Sequence, residues 1–142
     1  MVKFSEKIKK FLNIEQEVEG IIIKTEVIDN IVDLARQAYP NEFIMLLKGV
    51  VKDKKLVIDS LIFQTYHASN NSTLLRFNLP VMSGSVGSVH SHPGAHNRPS
   101  GADLRFFNKH GFVHLIIAHP YNRETIQAYD FYGNKIVFEE EE

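Results

Sequence analysis

Residues 88–93 read Ser-Val-His-Ser-His-Pro, and this hexapeptide limits the fold more than any other stretch of the 142-residue chain. Proline lacks a backbone N–H and disfavours helical geometry in the residue before it, so the segment ends at Pro93. On a strand, successive side chains alternate faces. His90 and His92 then point the same way, about 7 Å apart, while Val89 and Ser91 point the other way. On a helix the same two residues would diverge by about 200°. Two imidazoles that act together at this spacing therefore require a strand.

The rest of the chain supplies a sheet around that strand. Residues 20–25, 42–51 and 55–67 read as strands, the second nearly continuous in apolar residues and so expected to be buried on both faces. The run Lys52-Asp53-Lys54-Lys55 turns the second into the third as a hairpin. Residues 26–40 repeat Val27, Ile28, Ile31, Val32, Leu34, Ala35 and Ala38 at helical spacing and stop at Pro40. Residues 68–73 read as loop, 74–80 as a short strand, 88–92 as the histidine strand, and 100–110 as a helix closed by Gly111. Strands at 112–119 and 126–133 and a last short one at 135–138 complete the order. The expected architecture is α/β: a single, mostly antiparallel or mixed sheet flanked by helices. Residues 20–138 form that domain. Residues 1–19 carry Phe4, Ile8, Phe11 and Leu12 at helical spacing and read as an amphipathic segment packed on the body, with partner or membrane-surface binding as the alternative. Residues 139–142 are all glutamate and read as a solvated, frayed acidic tail.

Composition narrows the function. Hydrophobic residues at 44% and a formal net charge of −1 describe a globular chain with no basic field to recruit nucleic acid or an anionic membrane. The N-terminus lacks the apolar stretch of a signal peptide, and runs such as residues 43–47 are far too short to span a bilayer, so a soluble, cytoplasmic protein is expected. With no cysteine in the sequence, disulfides and thiolate metal sites are excluded, and any metal is held by His, Asp, Glu or water.

Ser100 and Asp103 have the S-x-x-D spacing of a helix start, with Ser100 as N-cap and Asp103 in the first turn. That rigid turn also fixes the carboxylate where a third ligand beside His90 and His92 belongs. Two histidines and one carboxylate leave a fourth tetrahedral position for water, the arrangement of a catalytic zinc. Glu42, at the mouth of an apolar strand, reads either as a solvated strand end or as a general base.

A glutamate upstream, His-Ser-His-Pro, and Ser-x-x-Asp with ten residues between the second histidine and the aspartate resemble the signature of the JAMM (MPN+) metalloproteases. The resemblance runs over residues 20–138 and implies the MPN/JAB fold, which is cytidine-deaminase-like. It implies that His90, His92 and Asp103 bind Zn2+, that Glu42 is general base and then acid, and that Ser100 stabilises the oxyanion. The implied substrate is a ubiquitin-like protein or its lysine conjugate, cleaved after the ubiquitin-like C-terminus. The chain lacks room for the long insertions of some eukaryotic members and looks like the compact archaeal or bacterial form. Residues 68–82 occupy the region where family members contact the substrate tail. A homodimer stays open as its assembly.

Other readings are weaker. Gly84, five residues and His90-x-His92 match the start of a cupin pattern, but the expected glutamate is replaced by His96 and Asn97, and the helical period at 26–38 opposes an all-β barrel. A metallo-β-lactamase pattern lacks its aspartate two residues after the second histidine. A metal-free scaffold module would lack the ligands present here. Hydrolysis of a sulfur-carrier fusion, a small peptide or another small amide keeps the zinc and changes the leaving group. His96 and Arg98 lie in the loop between candidate ligands. His114 alternates with apolar residues and reads as a satisfied core histidine, and His67, His110 and His119 sit at element ends.

Overall fold

The computed structural model describes residues 18–62 and 85–142. The elements in chain order are β1 (Gly20–Lys24), α1 (Thr25–Ala38), β2 (Ile44–Lys52), β3 (Lys55–Ile62), β4 (Ser85–His92), α2 (Gly101–Lys109), β5 (Val113–Ala118), a 3-10 turn (Arg123–Thr125), β6 (Ile126–Tyr129), β7 (Lys135–Ile136) and β8 (Glu139–Glu141). Among these residues the strands form one sheet in the order β7-β6-β5-β4-β2-β3-β1-β8. The pairings β1·β3, β1·β8 and β4·β5 are parallel, and the remainder are antiparallel. The expected mixed sheet with flanking helices is what forms. The helix expected at 3–14, the strand and loops at 68–82, the end of the third strand and His67 lie outside the described residues.

Each helix covers one face of the sheet. The apolar stripe Val27, Ile28, Ile31, Val32 and Ala35 of α1 is buried against Val89, Leu115 and Ile117 in the main core. On the opposite face α2 contributes Phe107, which packs with Ile116 and Tyr129. With cover on both sides β5 is buried along its whole length, as a strand between two helical layers must be. The alternation then places Val89 on the α1 side and Ser88, His90 and His92 on the α2 side. Among the described residues no helix is long and apolar enough to cross a membrane.

Three expectations change. β2 begins at Ile44 and is buried on both faces only at Met45–Leu47; from Lys48 onward exposed and half-buried positions alternate, with a register shift at Lys48/Gly49. The strand expected at 126–133 stops at Tyr129 because the Asp130 carboxylate accepts the backbone N–H groups of Tyr132 and Asn134, forming a turn that leaves Gly133 at φ +90°. The acidic residues 139–141 are exposed, as expected, but they are not frayed. They form β8, paired in parallel with β1, because Lys24 meets Glu141, Lys55 meets Glu139, and Thr25 and Arg123 meet Glu140. The β2–β3 hairpin closes as predicted, with Asp53 and Lys54 both at positive φ, the geometry of a two-residue turn matched to strand twist.

The crossover from β4 through α2 to β5 depends on a near contact of two backbones. Gly111 has φ +129°, and a Cβ on it would lie 2.7 Å from Gly87 Cα. A Cβ on Gly87 would lie 1.7 Å from the Val113 carbonyl oxygen, which no rotamer change relieves. Gly87→Ala is therefore expected to lower unfolding free energy by about 3 kcal/mol or more, as for severe overpacking, read as a shifted urea midpoint. A midpoint equal to wild type would contradict this close approach.

Candidate metal centre

The site lies at the C-terminal end of β4. Ile44 of β2 pairs with His90, and one residue further Ser91 N donates to Phe43 O (3.0 Å) while Phe43 N donates to Ser91 Oγ (2.8 Å). Continued by one more residue, this antiparallel register sets Glu42 opposite His92, on the same sheet face as both histidines. Glu42 is exposed, and its charge helps raise the His92 pKa. The loop after His92 is tied down at Asn97, whose amide donates to Thr125 O and whose carbonyl accepts the Tyr129 hydroxyl at 2.6 Å. The start of α2 is thereby brought back over β4.

That helix begins with a reciprocal cap. Asp103 N donates to Ser100 Oγ (3.1 Å), and Ser100 N donates to Asp103 Oδ2 (2.8 Å). Because the serine oxygen is used as an acceptor, its own proton remains free to donate outward, and Ser100 is exposed. The cap locks the Asp103 carboxylate with one oxygen toward each histidine: Oδ2 lies 3.0 Å from His92 Nε2 and Oδ1 lies 3.5 Å from His90 Nδ1. His90, His92, Ser100 and Asp103 thus meet at one place, and Glu42, opposite His92 in the extended register, is near enough for its charge to act on that ring. His96 stands beside them, its ring 6.2 Å from that of His92.

These donors touch one another, and among the described residues no group of three or more His, Asp or Glu side chains is arranged to take an ion without adjustment. Two bonds of about 2.0–2.1 Å at a tetrahedral angle separate their donor atoms by about 3.3 Å. The two histidine–carboxylate separations, 3.0 Å to Oδ2 and 3.5 Å to Oδ1, are each close to that length. The donor set, two imidazoles and a carboxylate with a side open to solvent, fits a zinc ion with one exchangeable position.

Protonation follows from burial and pairing. Burial pushes His90 down to about 4, with Asp103 opposing the shift and His92 and His110 adding to it. The hydrogen bond with Asp103 raises His92 against a smaller burial effect. Burial alone would raise Asp103, but the bonds from His92 and the Ser100 backbone hold it at about 2. At neutral pH His90 is therefore a neutral ring with a lone pair and Asp103 is a carboxylate.

Sequence reading missed what stands behind His90. Ser88, two residues earlier on the same face, places its Oγ 2.8 Å from His90 Nε2 and 2.6 Å from His114 Nδ1. His114 reaches this spot through the parallel register Ser88↔His114 and stacks flat on Phe107 at 4.3 Å. It is a core histidine as expected, but it is not satisfied, since its buried Nε2 has no hydrogen-bond partner. Phe106 and Phe107 close the pocket edge-on to the His90 ring. Ser88 at i−2 from His90 was visible in the sequence; the pairing to His114 depends on strand order and was not. His119 and His110 lie at element ends as expected, His119 giving its backbone N–H to the His92 and Gly94 carbonyls.

Comparison with known proteins places the chain in a group. Residues 24–132 match the family described as prokaryotic homologs of the JAB domain. A probable metalloprotease of Haloferax volcanii is 36% identical over 83% of this chain and 76% of its own length. A JAB1/MPN domain protein from Archaeoglobus fulgidus superposes with a TM-score of 0.67 at 33% identity, over 84% of this chain and 98% of that one. A structure reported as JAMM, a metalloprotease-like zinc site in the proteasome and signalosome, superposes with a TM-score of 0.68 at 33% identity, over 87% of this chain and 100% of that one.

The buried histidines set the pH dependence of the metal-free protein. His90 at about 4 and His114 at about 3 are both depressed by burial from 6.5, so the unfolded chain binds more protons and stability present above pH 6.5 is lost as pH falls. His92, raised, acts oppositely and only above pH 6.5; Asp103 joins the loss only below about pH 4; His110, lowered by burial, adds to the slope. About two protons taken up on unfolding near pH 5 give a slope of ~2.7 kcal/mol per pH unit. Urea titrations between pH 6 and 4.5 should show it, and His114→Phe should roughly halve it. A flat profile would mean that the two rings are not buried as neutral bases.

Proposed function

The chain belongs to the family of prokaryotic homologs of the JAB domain, and from that premise we propose that it is a zinc isopeptidase cleaving the bond after the C-terminus of a ubiquitin-like protein. Zinc is the metal that the family and the donor set imply, and the chain is of the metalloprotease kind. The observation that carries the proposal is the capped Asp103 carboxylate, turned with one oxygen to each of His90 and His92.

In this reading His90, His92 and Asp103 hold the metal. Zinc supplies Lewis acidity and lowers the pKa of a water toward about 7. Glu42, across from His92 and open to solvent, takes a proton from the attacking water. As the water oxygen bonds to the scissile carbonyl carbon, the Ser100 hydroxyl, whose oxygen is already engaged by the Asp103 N–H, donates to the developing oxyanion. Collapse breaks the carbon–nitrogen bond, and Glu42 returns its proton to the departing lysine amine. The products are a free C-terminal carboxylate and the amine. The exposure of Glu42 and Ser100 supports a large substrate approaching from solvent.

Glu42→Gln should keep one zinc per chain and lower kcat on a ubiquitin-like–lysine conjugate by about 10²- to 10⁴-fold. His92→Ala should lose zinc by elemental analysis. Full turnover in Glu42→Gln would remove the general base. Turnover of short peptides or a sulfur-carrier fusion, with the conjugate untouched, would move the substrate to the alternative class.

A further inference from the structure

We propose that Ser88 and His114 form a hydrogen-bond relay behind His90 that fixes which nitrogen of that ring faces the metal, making both of them positioning residues for the site. The inference rests on the reading of His90 as a zinc ligand and deepens it.

The chain of contacts runs from His114 Nδ1 to Ser88 Oγ at 2.6 Å and from Ser88 Oγ to His90 Nε2 at 2.8 Å, with all three residues at or below 3% exposure. A single hydroxyl between two ring nitrogens donates to one and accepts from the other, so the relay has two polarities. The metal end chooses between them. A ligand nitrogen must be bare, so with Nδ1 of the neutral His90 ring turned to the site its proton sits on Nε2, beside Ser88 Oγ. Nδ1 of His114 is then the acceptor at the far end, and the His114 proton sits on its buried Nε2, which has no hydrogen-bond partner. Ser88 then donates to His114 Nδ1 and accepts from His90 Nε2–H.

His90 is left with a bare Nδ1, and that atom faces Asp103 Oδ1 at 3.5 Å. Two acceptors facing each other repel unless a cation stands between them. The separation is longer than the 3.0 Å hydrogen bond from His92 to the same carboxylate, consistent with no proton shared between His90 and Asp103. A ligand imidazole commonly has its second nitrogen held by an outer partner, which sets tautomer and ring orientation. Here that partner is a serine backed by a second histidine, and Phe107, stacked on His114 and edge-on to His90, holds the planes of both rings.

The test uses the full chain in metal-free and zinc-loaded form. Nitrogen-15 NMR of the histidine rings at neutral pH should show His90 protonated at Nε2 and bare at Nδ1 before zinc is added. Zinc should then shift Nδ1 while Nε2 keeps its proton. Ser88→Ala and His114→Phe, the second of which preserves a ring against Phe107, should each weaken zinc binding about 10- to 100-fold by chelator competition. Their metal-free melting temperatures should drop by no more than a few degrees. A His90 ring protonated at Nδ1 would overturn the polarity and with it the relay. Wild-type zinc affinity in both variants, with zinc lost in His90→Ala, would overturn the relay and leave the ligand set standing. Zinc retained in His90→Ala would remove the ligand reading itself, and the relay with it.

Discussion

β4 is a strand covered on both faces, and the division of labour between those faces organises the molecule. Its Val89 side belongs to the dry core under α1, where packing alone matters. Its Ser88–His90–His92 side meets α2, whose first turn brings a carboxylate and whose body brings Phe106 and Phe107. Slipping the register by one residue would bury two imidazoles among Ile and Leu and turn Val89 to the site. The pleat thus couples hydrophobic burial to site assembly, and the core enforces what the chemistry needs.

Within the polar face there is a gradient from dry to wet. His114 and Ser88 are fully buried, His90 nearly so, Asp103 and His92 are half-buried, and Ser100 and Glu42 are open. Groups whose task is to hold position sit deep, where hydrogen bonds are strong and competing water is absent. The two groups proposed to exchange protons or meet a substrate, Glu42 and Ser100, are the ones open to solvent. The price is that two histidines are kept neutral in the interior, a cost that grows as the medium becomes acidic.

What could be read in advance was what short-range chemistry determines. His-x-His before a proline, Ser-x-x-Asp at a helix start and the glycine after α2 each specify local geometry within a few residues. α1 was equally plain from the spacing of Val27, Ile28, Ile31, Val32 and Ala35. What escaped depends on partners far along the chain. His114 acquires its meaning from Ser88 only through the parallel β4·β5 register, 26 residues distant. The terminal glutamates looked like a solvated tail because their charge says water, and only Lys24, Lys55, Thr25 and Arg123 turn that charge into strand pairing. Strand β6 was overextended because the apolar pattern continued past Asp130, whose side chain ends the strand.

β8 also says something about how the protein behaves in a crowd. Among the described strands it closes one end of the sheet, and an open strand edge is a template on which a second chain can stack. This edge is a row of carboxylates whose outward faces repel any identical edge brought against them, while lysines on the inner neighbours bind it to its own sheet. The same charges that fasten the strand inward give this end of the sheet an acidic rim, the kind of edge that discourages pairing with a second copy.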